Sequence, residues 1–213
     1  MVDKIAAIPT EVSAENYLEV KELCEVARYC YAKVNVDDRA AVTNFDILLE
    51  IEAKVKQIII DMRPEATKVV IFSADNLSQT KYESAVTEGE FTIVGASGKA
   101  VEQKAKKVTF TYGDETYTTT YGLSMGGKAT FGSNRYISFT VDGPCTVTIA
   151  VQSSGTDTRT LTMVNSAGQT VGSYEAPGSV AVSSLDITEA GTYSVGSAGS
   201  GMYIFAIIIE YFE

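Results

Sequence analysis

The segment YGLSMGGK (121–128) contains Gly122-Leu123-Ser124-Met125-Gly126, a G-x-S-x-G string. That pattern is the nucleophile elbow of serine hydrolases when a strand precedes it and a helix follows. A serine nucleophile needs a base to take its proton, and the chain has no histidine. A Ser-Lys pair with Lys128 stays formally open, but nothing in the pattern buries that lysine to lower its pKa. The competing assignment, a glycine-rich β-loop, is favoured, and no catalytic residue is expected.

The same absence removes most zinc sites. The three cysteines are Cys24, Cys30 and Cys145. Cys24 and Cys30 fall six apart in one expected helix, about 9 Å along its axis and pointing in different directions, so no disulfide is expected between them. Gly95-Ala96-Ser97-Gly98-Lys99 lacks the leading glycine and the hydroxyl residue of a phosphate-binding loop. Asp142, Asp157 and Asp186 form no dense acidic run of the calcium-loop kind. Neither a metal nor a cofactor is expected.

The residue types that remain suit recognition. Nine of the twelve tyrosines follow residue 64, and there is no tryptophan. Tyr112, Tyr117 and Tyr121 lie among threonines and glycines, and a tyrosine offers a flat apolar ring with a polar handle. The same three also suit cross-strand packing. Arg135 and Arg159 each open an expected strand, where a planar guanidinium can hold two oxygens at once or pair with Asp142 or Asp157. Pairing is favoured for Arg159, and the two roles are even for Arg135. Lys128 sits in the glycine loop. These six are the candidate ligand-binding residues.

Net charge is −10. Residues 1–64 carry 8 basic and 12 acidic side chains, residues 65–213 carry 9 and 15, and both parts are acidic. Nucleic acid is a poor partner for such a surface. Lys104, Lys106 and Lys107 form the one basic cluster, read as solvated. YIFAIII (203–209) is apolar but far too short to span a bilayer as a helix. No signal peptide is recognisable at the start, which leaves a cytoplasmic protein or a fragment of a secreted one.

All 17 glycines follow residue 64, and the first 64 residues hold only two threonines. That shift divides the chain into a helical part, 1–64, and a β part, 65–213. Tyr17, Val20, Cys24, Ala27, Tyr31 and Val34 keep helical spacing, with Ser13 as an expected N-cap. Leu48, Ile51, Val55, Ile58 and Met62 do the same, after a capping-box-like Thr43-Asn44-Phe45-Asp46 and before the stop at Pro64. With VDKIAAI (2–8) they predict a small three-helix bundle. Beyond Pro64, about ten short runs alternate apolar and polar residues, as in Ile137/Phe139/Val141 against Tyr136/Ser138/Thr140. Turn signals such as Asn165-Ser166-Ala167-Gly168 separate them. The expected fold is a small all-α bundle followed by an all-β jelly-roll sandwich.

Val26-Ala27-Arg28-Tyr29-Cys30-Tyr31-Ala32, followed by VTNFDILLEIEAKV (42–55), resembles the FIVAR-like helical modules of Gram-positive surface proteins. EFTIVG (90–95), LSMGGKATFGSNRYISFTV (123–141), DTRTLTMVNSAGQTVG (157–172) and AGTYSVGSAGSGMYIFAI (190–207) resemble jelly-roll carbohydrate-binding domains of clostridial pectate lyases and pectin esterases, including family 77. The resemblance implies a non-catalytic module that binds plant cell-wall polysaccharide, within a larger secreted or cell-surface protein of a Gram-positive gut bacterium. It implies basic residues that hold galacturonate carboxylates. Arg135 keeps one such position, Tyr121 and Ser124 stand where lysines are expected, and Ser197–Ser200 offers no basic residue. A pectin ligand, a neutral plant glycan, or a spacer or adhesin-type module with no glycan ligand all remain open.

Overall fold

Apolar residues at helical spacing build the first unit, Met1–Glu65, and alternating ones build the second, Ala66–Glu213. The structure is a computed structural model that describes residues 2–62 and 66–212. Pro64, the expected helix stop, lies outside the described residues.

In the first unit a short helix, α1 (Val2–Ala6), accompanies α2 (Tyr17–Ala32) and α3 (Phe45–Asp61), with a 3-10 turn at Val36–Ala41. Val20, Cys24 and Ala27 of α2 meet Leu48, Ile51 and Val55 of α3 around Ile5 and Ile8. The ends of the stripes lie at the margin: Tyr17, Tyr31, Val34 and Ile58 are half-buried, Tyr31 stacking on Phe45 with ring centroids 3.9 Å apart, and Met62 is exposed. Arg28 ties the long helices together, donating from Nε and Nη2 to the two carboxylate oxygens of Glu52 (2.6 and 2.5 Å). Ser13 does not cap α2 with its side chain. The residue before the helix is Asn16, and Ser13 instead accepts the Tyr17 N–H on its carbonyl.

The second unit is two antiparallel sheets packed as a sandwich. Its strands are β1 (Lys68–Ser73), β2 (Lys81–Tyr82), β3 (Ala85–Glu88), β4 (Phe91–Val94), β5 (Val101–Tyr112), β6 (Glu115–Ser124) and β7 (Tyr136–Val141). They continue with β8 (Cys145–Ser153), β9 (Arg159–Asn165), β10 (Thr170–Ala176), β11 (Ala181–Ile187), β12 (Gly191–Ser197) and β13 (Met202–Tyr211). One sheet runs β11-β8-β13-β6-β5-β2, with β1 also on β13; the other runs β10-β9-β12-β7-β4-β3. Ile137, Phe139 and Val141 point into the core between them, with Phe72, Phe91, Tyr174 and Ile207. The Asn165 turn joins β9 to β10 as expected: its side-chain oxygen accepts from Ala167 and Gln169, and Gly168 takes φ 76°.

One feature of this sheet positions the site. Strand β13 pairs with β6 at Tyr203 and Ile204, then with β1 from Ala206 to Tyr211. Where β6 leaves, the Asp75 carboxylate accepts the Thr120 and Tyr121 N–H groups (3.0 and 2.8 Å), so the released edge keeps its hydrogen bonds. The β5–β6 hairpin, kinked by a register shift between Ala105 and Val108, then packs on the outer face of its own sheet. Phe110 is buried there with Ala150, Phe205 and Ala206. Covered on both faces, β8 is buried at every position. No helix among the described residues is long and apolar enough to cross a membrane.

Candidate functional site

Charged residues two apart on a strand share a face, because successive side chains alternate. Tyr82 and Val101 are buried in the core, so Lys81 and Glu83 on one side, and Glu102 and Lys104 on the other, project from the outer face. Lys81 pairs in register with Glu102, and Glu102 with Ser124. These residues, with Gly98, Ala100, Gly126 and Arg135, line a pocket of about 310 Å³.

Arg135 completes the pocket from the other sheet, just ahead of β7. It is the one described non-glycine residue with positive φ, at 61°. A left-handed arginine costs about 1–2 kcal/mol relative to an ordinary backbone, so something must hold it there. Its backbone N–H donates to the Val94 carbonyl at 2.6 Å, which fixes the turn into β7. Its guanidinium lies over Gly126 and Gly127. A Cβ on Gly127 would come within 2.8 Å of Nη1, and one on Gly126 within 3.6 Å of Nε. Gly127 is therefore the seat of the arginine, while the 3.6 Å at Gly126 is ordinary contact. Its Nε is sealed from solvent and meets no acceptor.

The opening serine string is thereby accounted for. Gly122 admits the Phe205 ring, whose edge would stand 2.7 Å from a Cβ, and Gly126 takes φ 66°, the left-handed region that favours glycine. Ser124 is buried at the end of β6. The two lysines that share the pocket with Ser124 are occupied: Lys81 Nζ lies 2.8 Å from Glu83 and Lys104 Nζ 3.0 Å from Glu102. The Glu83 hydrogen bond raises the Lys81 pKa, the opposite of what a lysine base needs. Among the described residues no group of three or more His, Cys, Asp or Glu could hold a metal ion.

Of the six residues expected from sequence, Arg135 alone lines the pocket. Tyr112 stands at the hairpin tip, its hydroxyl donating to Glu210. Tyr117 stacks on Phe110 (centroids 5.7 Å apart) and donates to Glu115 at 2.9 Å; it is a packing residue of the outer cluster. Tyr121 is exposed, but alternation puts it on the other face of β6 from Ser124. Lys128 is exposed in the loop after β6, outside the pocket lining. Arg159 is engaged at all three guanidinium nitrogens. It donates to both Asp157 oxygens (2.9 and 3.0 Å), to Ser154 Oγ (2.8 Å) and to the Gly201 carbonyl. The pocket residues that the sequence reading missed are Lys81, Glu83 and Glu102; Lys104, expected on a solvated strand or loop, is exposed on β5 and also lines the pocket. Their signal was the paired spacing Lys-x-Glu at 81–83 and Glu-x-Lys at 102–104.

No protein-family model matches the chain, and no curated protein matches its sequence. Among solved structures it is similar to a chain of the Ruminococcus flavefaciens cellulosome, described in terms of an expansion in glycan recognition. That pair shares 17% identity over 70% of this chain and 99% of the other, at TM-score 0.45. It is also similar to the carbohydrate-binding module CBM36 in complex with calcium and xylotriose, at 16% identity and TM-score 0.37, covering 66% and 98%. A family 35 carbohydrate binding module from Clostridium thermocellum aligns at 12% identity and TM-score 0.34, covering 67% and 98%.

Proposed function

We propose that the β unit is a non-catalytic, jelly-roll-type glycan-binding module for a plant cell-wall polysaccharide of the pectin type, with the Arg135 pocket as its site. The helical unit is a FIVAR-like spacer, and both belong to a larger secreted or cell-surface bacterial protein that degrades polysaccharide. The observation that carries this reading is the unpartnered guanidinium of Arg135, held in a left-handed backbone at an open pocket. Nε is sealed, so the Nη edge of the guanidinium, kept at that cost without a protein acceptor, is what a ligand oxygen would use. The test is affinity electrophoresis of the whole chain through gels containing pectin, xylan or β-glucan. Retardation by at least one acidic polymer is expected, and Arg135→Ala should abolish it.

The placement of Tyr112 and Tyr117 favours a second reading, a structural spacer or adhesin-type module with no glycan ligand. Their hydroxyls are engaged within the unit, and among the described residues no aromatic side chain lines the pocket. Failure of every polysaccharide to retard the chain would select it.

A further inference from the structure

We infer that the pocket takes a single carboxylate carried on an otherwise uncharged stretch of glycan, an isolated uronate, and not a run of contiguous uronates; this rests on the glycan-binding reading above. The pocket's own charge sets the limit. Lys81, Lys104 and Arg135 face Glu83 and Glu102, which leaves one net positive charge in the lining. Both lysines already have a carboxylate within 3.0 Å, whereas Arg135 has none. With Nε sealed, one incoming carboxylate meets the Nη1/Nη2 edge of the guanidinium, whose fork matches its two oxygens. A second, on the neighbouring sugar, meets a lysine that is already neutralised and a glutamate beside it.

Size and field agree with the charge count. About 310 Å³ is at the small end of ligand pockets, which run roughly 300–1,000 Å³, so only a short piece of polymer enters. Residues 65–213 carry 9 basic and 15 acidic side chains, and that field repels a polyanion most at low salt. The ligand class includes a xylan with scattered glucuronate side groups, or a pectin with most of its carboxyls methyl-esterified.

The experiment is isothermal titration of the whole chain at low and high salt with four probes. These are xylan bearing isolated glucuronate, the same xylan after carboxyl reduction, polygalacturonate, and highly methyl-esterified pectin. The first and last should bind; carboxyl reduction should cost at least tenfold, and polygalacturonate should bind more weakly than either, least of all at low salt. The paired variant Glu83→Gln, Glu102→Gln should raise polygalacturonate affinity at least tenfold by releasing both lysines, with Lys81→Gln, Lys104→Gln as its control. Polygalacturonate binding as tightly as the sparse polymers, or reduced xylan binding as well as its parent, would overturn the inference while leaving a glycan-binding module. If none of the four binds, the functional reading falls and the inference with it.

Discussion

Two arginines open strands of the same sandwich beside a glycine, and their fates differ. Arg159, at the start of β9, spends its guanidinium on Asp157, Ser154 and Gly201. Arg135, just ahead of β7, has no acceptor for Nε and sits in a backbone conformation that arginine disfavours. Both need the glycine: a Cβ on Gly155 would stand 2.7 Å from Arg159 Nη2, and one on Gly127 stands 2.8 Å from Arg135 Nη1. Residue type and local context are therefore shared. What separates a scaffold arginine from a recognition arginine is whether the loop around it supplies acceptors. The loop before Arg159 does so two residues away; the loop before Arg135 supplies glycine backbone.

The largest expected effect lies on the scaffold side. Arg159→Ala should lower the melting temperature of the β unit by about 5 °C, since it removes the guanidinium that ties Ser154 to the Gly201 loop. Calorimetry on the whole chain reads it. A shift under about 1 °C would mean that the Arg159 network is surface decoration and that the contrast has no energetic content.

Arg135→Gly should move the other way. It removes an unpartnered Nε and gives the left-handed position the residue that adopts it freely, so a rise of about 3 °C is expected. Polysaccharide binding should disappear in the same protein. A variant that loses stability along with binding would place Arg135 with Arg159, as scaffold.

A smaller effect tests the seat. Gly127→Ala puts a methyl group where Nη1 lies, and the flexible end of the arginine must give. Binding should weaken about tenfold, or roughly 1.4 kcal/mol, and the melting temperature should fall by about 2 °C because Gly127 takes φ 158°. Unchanged affinity would mean that the arginine works from another rotamer and that Gly127 is not its seat.

Much of the scaffold could be read from the sequence, and particular residues show where reading stops. Val20, Cys24, Ala27, Leu48, Ile51 and Val55 keep one period and are buried together. Ile137, Phe139 and Val141 keep another. Strand β6 escaped notice because its run of threonines, tyrosines and a glycine lacks the apolar alternation of a half-buried strand; its packing partners come from the outer face of its own sheet. On β13 the register slips between Ile204 and Ala206, so Phe205 and Ala206 both join the outer cluster and the period of two breaks. That outer layer also decided the site: it drew Tyr117 into packing and tied the Tyr112 hydroxyl to Glu210. Arg135 was even between two roles because acceptors from distant loops are invisible in one dimension. Lys81, Glu83, Glu102 and Lys104 converge only once β2 and β5 are known to pair.

The smallest expected effect is in the acid limb. The Arg159 hydrogen bonds hold the Asp157 carboxyl below its ordinary 3.8. A carboxyl lowered in the folded state contributes stability that is fully present above its unfolded value, and that contribution is lost as the pH falls through the folded one. The melting-temperature gap between wild type and Arg159→Ala should therefore be widest near about pH 6 and narrow as the pH drops below 3.8. Arg135 has no such carboxylate, so the gap between wild type and Arg135→Gly should keep its size over the same range. Each variant removes one positive charge, so the general rise in net charge on acidification acts on both alike and cancels in the comparison. If the lead of Arg135→Gly over wild type instead grew as the pH fell, a carboxylate would be pairing with Arg135 in solution, and its guanidinium would not be the open donor on which ligand recognition depends.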